Sequence, residues 1–314
     1  MILAALVCGA PGELLGAQAE RKTSEGSSPS ARVERGVDLA SKGQCPEALT
    51  ILRKSIRALV DKQLRYRAAM ASAQCGMSVD QADVVVESLL LLNREFPDDS
   101  KVLYITSRYY SELANRAARK LTVKASSSAE AQVLMAEAYQ ARGDFESATA
   151  KYRRILEQYP KQPGVHYQLG QIILAKIPTA TEEAKREFEA ELEVNPTSPA
   201  TEYMLGDLAW RVMKADEAIR HFSRATELDV SLAQPYLGLG IAFNAAGRFT
   251  DAIDTLKKYV RLNPGDPAGY YQLAIAYSRI GNKQEAERQR ALQLDAEEKL
   301  KSGSASTRDA PQPH

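Results

Sequence analysis

Residues 233–264 read AQPYLGLGIAFNAAGRFTDAIDTLKKYVRLNP. Tyr236, Leu239, Gly240 and Phe243 recur at three- and four-residue steps, the spacing of one face of an α-helix. Ala245-Ala246-Gly247-Arg248-Phe249 breaks the run. Ala252, Ile253, Leu256, Tyr259, Val260 and Leu262 then begin a second one, closed by Asn263-Pro264. Two short amphipathic helices joined by a Gly-containing turn cannot bury their apolar faces alone and must stack on neighbours. Such neighbours exist: Tyr159-Pro160, Asn195-Pro196 and Asp229-Val230 end similar runs, so the pattern returns every 34 to 36 residues. A fixed period of that size marks stacked supersecondary units.

At these residues the chain resembles the tetratricopeptide repeat (TPR) family. The family's Leu-Gly step, where a small residue lets paired helices approach, stands here as Leu169-Gly170, Leu205-Gly206 and Leu239-Gly240, with Met135-Ala136 and Leu273-Ala274 as near matches. Its second-helix Ala followed by an aromatic stands as Ala148/Tyr152, Ala184/Phe188 and Ala218/Phe222, with Ala252/Leu256 as an apolar variant. Units are expected near 129–162, 163–196, 199–230, 233–264 and 267–300. The unit at 163–196 carries extra residues around Lys176-Ile177-Pro178-Thr179, so its turn should bulge. The polar Glu297-Glu298-Lys299 suits a terminal helix facing water. The resemblance implies an all-α fold, a right-handed α-solenoid of stacked TPR hairpins.

Residues 32–128 read as divergent TPR-like hairpins. Gly36, Leu39, Gly43, Ala48 and Leu52 fit one unit, with Arg53 to Leu59 extending its second helix, and residues 64–97 fit another. The run Leu89-Leu90-Leu91-Leu92 is apolar all round and should be covered on both sides. Residues 100–125 predict one helix with Leu103, Tyr104, Ser107, Tyr110 and Leu113 on its stripe and a second helix of about ten residues. Ser126-Ser127-Ser128 then offers an N-cap. Roughly eight hairpins are expected.

Ile2 to Ala10 is an apolar run followed by Ala17-Gln18-Ala19, the order of a secretory signal peptide over residues 1–19. The polar residues 20–31 read as a flexible leader and 301–314 as a disordered tail. The resemblance is to exported bacterial members of the family, so a periplasmic or envelope location is expected; without export the chain is cytoplasmic. Cys45 and Cys75 fall on helices that pack together in a stacked array. They form a disulfide in an exported chain, or two buried thiols in a reducing cytosol.

A net charge of +1 lacks the broad cationic field of a nucleic-acid binder. The apolar runs are too short for a transmembrane span. His166 and His221 have no second ligand at helical spacing, so no metal or cofactor is expected. Glu182, Glu183, Glu187, Glu189, Glu191 and Glu193 read as a solvated acidic face. No nucleophile elbow, phosphate loop or zinc motif occurs in the sequence, which reads as non-enzymatic.

What the resemblance implies for function is a groove lined by first-helix residues. Carried over, these are Tyr167, Gln171, Tyr203, Asp207, Trp210, Arg211, Leu237, Ile241, Asn244, Tyr271, Ile275 and Arg279. Aromatics beside Arg are the types that carry binding hot spots, with partner side chains buried on Tyr203, Trp210 and Tyr271; the alternative is that they pad the packing between units. The Lys/Asn clamp that some TPR domains use on a terminal carboxylate is absent from the matching slots, which hold Leu134, Gln168, Met204, Gly238 and Gln272. The expected function is a non-catalytic scaffold for a protein or peptide partner. A structural subunit of an envelope or secretion assembly, or an accessory subunit delivering substrates to an enzyme, are alternatives. The oligomeric state stays open.

Overall fold

The computed structural model describes residues 28–56 and 59–308, with side chains to 302. The stretch read as a signal peptide, most of the stretch read as leader and the end of the tail lie outside the described residues. Fifteen helices and no strand occur among the described residues, and they pair as antiparallel hairpins in two compact units that divide after Lys124.

The N-terminal unit holds α1 (Pro29–Ser41), α2 (Cys45–Ser55), α3 (Lys62–Ser78), α4 (Ala82–Glu95) and α5 (Ser100–Lys124). The first helix thus begins inside the stretch read as leader, because Ser28 caps it by accepting from the Ala31 N–H and Pro29 needs no N–H partner at the first turn. Helix α2 ends at Ser55 rather than extending to Leu59. Helix α5 is a single helix where the spacing predicts two, since no Gly or Pro interrupts residues 101–124. Its inward stripe also differs from the expected one. Val102, Ile105, Tyr109 and Leu113 pack toward α3 and α4, while Leu103, Tyr104 and Tyr110 are exposed. Both stripes have helical spacing, and periodicity alone cannot choose between them. Leu89 and Leu92 are fully buried, but Leu90 is 61% exposed, so the leucine run is covered on one side only. With Leu91, Arg53, Arg65 and Arg94 it lines a cleft of about 760 Å³.

The C-terminal unit holds α6 (Ala129–Ala141), α7 (Phe145–Gln158), α8 (Val165–Lys176), α9 (Thr181–Val194), α10 (Pro199–Arg211), α11 (Ala215–Leu228), α12 (Ala233–Ala245), α13 (Phe249–Leu262), α14 (Pro267–Arg279) and α15 (Lys283–Arg308). The described structure therefore has seven hairpins and the unpaired α5, one fewer than expected. Residues 301–308, read as disordered, continue α15. The long turn between α8 and α9 leaves Ile177 56% exposed.

One packing contact recurs in four of the hairpins. The small residue of the first helix meets the large apolar residue of the second: a Cβ at Gly36 would strike Leu52, at Gly170 Phe188, at Gly206 Phe222 and at Gly240 Leu256. At a constant offset after that small residue the chain reverses through a left-handed backbone at Gly43, Gly143, Gly247 and Gly281, and there Asp80 and Met213 replace glycine with φ of 57° and 60°. Only glycine takes this conformation without steric cost, so the two substituted turns are strained. In the N-terminal unit the glycine contact stands at Gly36 of α1 against Leu52 of α2, and the left-handed turn recurs at Gly43 and at Asp80.

Candidate functional site

The repeat sets corresponding first-helix residues in rows. Tyr167, Tyr203, Leu237 and Tyr271 occupy one position in α8, α10, α12 and α14, and Gln171, Asp207, Ile241 and Ile275 stand one turn further on. Tyr167 lies with its ring centroid 5.7 Å from that of Phe188, and its hydroxyl accepts a 2.7 Å hydrogen bond from Gln171 Nε2. Tyr203 stands 5.8 Å from Phe222, and beside it Arg211 Nε donates to Asp207 Oδ2 at 2.8 Å. Burial holds both phenols above their ordinary pKa. At Tyr203 the Asp207 charge pushes further up and the Arg211 charge pulls back.

Several residues expected to face a partner are engaged within the protein. Tyr203, Trp210 and Leu237 are half-buried against the core cluster of the last units. Asn244 Nδ2 donates to the Gln272 backbone carbonyl at 3.1 Å and to Gln272 Oε1 at 3.0 Å, while its own Oδ1 is buried with no partner among the described residues. The same position in α6 is Gln140, whose Nε2 donates to Gln168 Oε1 at 3.0 Å and whose Oε1 accepts from Tyr152. Sequence reasoning missed this seam between successive first helices. Its signal was present, because Gln168 and Gln272 are two of the slots where the family's clamp is lacking. Those amides tie one unit to the next.

What remains open is the C-terminal part of the row. Tyr271 is 51% exposed, and Arg279 is exposed with no ion pair among the described residues. Tyr271 and Ile275 line a cleft of about 390 Å³ with Ala274, Arg290, Gln293 and Leu294. Apolar floor with guanidinium at the rim suits peptide side chains and a carboxylate.

The remaining singled-out residues serve the scaffold. Cys45 and Cys75 are buried, with Cα atoms 5.0 Å apart and sulfur atoms at bonding distance. His166 Nδ1 meets Glu187 Oε2 at 2.7 Å and His221 Nδ1 meets Glu202 Oε2 at 2.7 Å. These are equivalent positions in adjacent hairpins with acid and base exchanged, each pair tying a first helix to its second. No group of three His, Cys, Asp or Glu residues converges as metal ligands would among the described residues.

Glu191, read as part of a solvated face, is 1% exposed. The N-cap position before α8 is Gly164, which has no side chain to cap the helix, and Glu191 supplies the acceptor from α9 for the Gly164 N–H (2.8 Å) and the Tyr167 N–H (3.4 Å). Glu191→Ala strands these donors and should lower stability by about 1–3 kcal/mol. Urea denaturation followed by circular dichroism measures it; a loss below about 0.5 kcal/mol contradicts the capping role.

Comparison with known proteins follows the same residues. Family models described as Tetratricopeptide repeat match residues 129–172, 203–267 and 255–288. The chain therefore contains tetratricopeptide repeats over those residues. It is 22% identical over 308 residues to the TPR repeat-containing protein YpiA of Bacillus subtilis, covering 84% of this chain and 70% of that one. It is 31% identical over 97 residues to the heat shock protein STI1 of Saccharomyces cerevisiae, 30% of this chain and 16% of that one. Among solved structures a MamA RS-1 double mutant superposes with a TM-score of 0.50 at 19% identity, covering 55% of this chain and 97% of that one, which is a likeness of fold. No described helix is long and apolar enough to cross a membrane.

Proposed function

We propose that this chain is a non-catalytic scaffold that binds a protein or peptide segment along the first-helix row of its C-terminal unit. The observation that carries this reading is the set Ile241, Tyr271, Ile275 and Arg279, of which Tyr271 and Arg279 are exposed and the two isoleucines half-buried, beside the Asp207–Arg211 pair. An extended segment buries apolar side chains on the first three while Arg279 takes an acidic group. Tyr203 and Trp210 support the row from beneath.

A photo-crosslinking amino acid at Ile241, with a control at the exposed second-helix residue Arg224, identifies the partner in cells. Ile241→Glu with Arg279→Glu should then weaken that partner's binding at least about tenfold with helical content unchanged. Crosslinks at Arg224 alone, or binding indifferent to the double variant, refute the row. The reading extends to export into the cell envelope, supported by the apolar run Ile2–Ala10 and the Ala17-Gln18-Ala19 site. N-terminal sequencing of the protein from fractionated cells should find a start near Glu20; an intact Met1 in the cytosol removes the export reading.

A further inference from the structure

Among the described residues, the last hairpin leaves an open end. Within the C-terminal unit, the second helix of each hairpin is covered by the first helix of the next. A Cβ added to Gly269 of α14 would strike Tyr259 and Val260 of α13, which marks those residues as that seam. One repeat further on, the same positions are Gln293 and Leu294, and the terminal cleft is lined by these with Arg290, Tyr271, Ala274 and Ile275. The cleft thus occupies the place where another helix would lie. Helix α15 runs straight to Arg308 without the turn that elsewhere brings the next helix onto this face. Leu294 is left 63% exposed at the centre of the open face, where the interior equivalents of the lining, Leu256 and Tyr259, are fully buried.

We propose that a second copy of this chain closes this end, its α15 lying antiparallel on the first α15 about a two-fold axis at Leu294. The charge pattern of the helix specifies that occupant. Arg290, Leu294 and Glu298 lie on one exposed stripe, one turn apart in each direction, and Arg290 and Glu298 form no ion pair among the described residues. Antiparallel pairing centred on Leu294 sets Arg290 against Glu298 of the second copy, twice by symmetry, and the same operation brings Glu287 opposite Lys301. A parallel pairing would oppose Arg290 to Arg290. Antiparallel is also the direction in which successive helices of each hairpin run, so the second copy's helix mimics the missing neighbour. The apolar contribution comes from Leu294 of each copy set beside Tyr271 and Ile275 of the other.

A helix-on-helix contact of this length is at the small end of specific interfaces, so association in the micromolar range is expected. Sedimentation equilibrium of the full chain, at concentrations on the order of 10–100 µM, should show a monomer–dimer equilibrium. Leu294→Glu should weaken it at least about tenfold, with unchanged far-ultraviolet circular dichroism. Arg290→Glu and Glu298→Arg should each weaken it, and combining the two in one chain should restore it, since the swapped charges again face each other only across copies. A chain that remains monomeric throughout overturns the proposal. So does an oligomer insensitive to Leu294→Glu, or one that the charge swap fails to restore. Tyr271 and Ile275 cannot serve both contacts at once, so the dimer leaves a bound segment Ile241, Arg279 and the Asp207–Arg211 pair, and the photo-crosslink at Ile241 reads that part of the row.

Discussion

Replacing Phe222 with Ala should remove about 3–5 kcal/mol of stability, the range for emptying a fully packed aromatic site. Phe222 is 2% exposed, and its ring is held between two first helices. A Cβ at Gly206 of α10 would meet its near edge at 2.6 Å, and a Cβ at Gly238 of α12 would meet its far edge at 2.7 Å. The ring is therefore the spacer between consecutive hairpins, and its loss strips apolar contact from both. Surrounding groups cannot collapse into the void, because the backbones on either side are fixed by their own helices. The converse defect is an added methyl. With the ring confined on both sides, Gly206→Ala cannot be relieved by shifting Phe222 and should cost about 1–3 kcal/mol by overpacking. Urea unfolding of both variants measures these losses, and a Phe222→Ala chain within about 1 kcal/mol of the parent refutes the spacer role.

The hairpins from 129 onward were legible because their signals are local: a small residue, a turn and an aromatic at fixed offsets, each the direct requirement of close helix packing. Residues 100–125 were not, because two stripes of α5 share helical spacing and only α3 and α4 decide which is buried. Glu191 was misread for a related reason. An acidic helix normally faces water, and the demand that draws this carboxylate inward is the uncapped start of α8, more than twenty residues earlier in the sequence. The groove residues divide the same way. The repeat registers Tyr203, Trp210 and Asn244 on the first-helix face, but whether each side chain is free depends on the adjacent hairpin. Asn244 is claimed by Gln272, whereas Tyr271 meets no such neighbour because α14 is the last first helix among the described residues.

Cleavage of the bridge that we propose between Cys45 and Cys75 should destabilise the N-terminal unit by about 3–4 kcal/mol, the effect of releasing a loop of this length in the unfolded chain. The two residues are 30 apart in sequence, and both are buried in the cluster formed by Val33, Ala48, Leu52 and Leu64. The bridge ties the start of α2 to α3, so it fixes the contact between the first two hairpins. Cys45→Ala with Cys75→Ala removes the crosslink while deleting little apolar volume, so a loss of the stated size reports the tether and not a cavity. The parent chain treated with reductant should match that double variant in urea unfolding. Acid quenching of intact cells followed by alkylation shows which state exists in place. Protection of both thiols until reduction agrees with an oxidising compartment and with export, whereas full alkylation assigns the chain to a reducing one and leaves Cys45 and Cys75 as small buried hydrophobes.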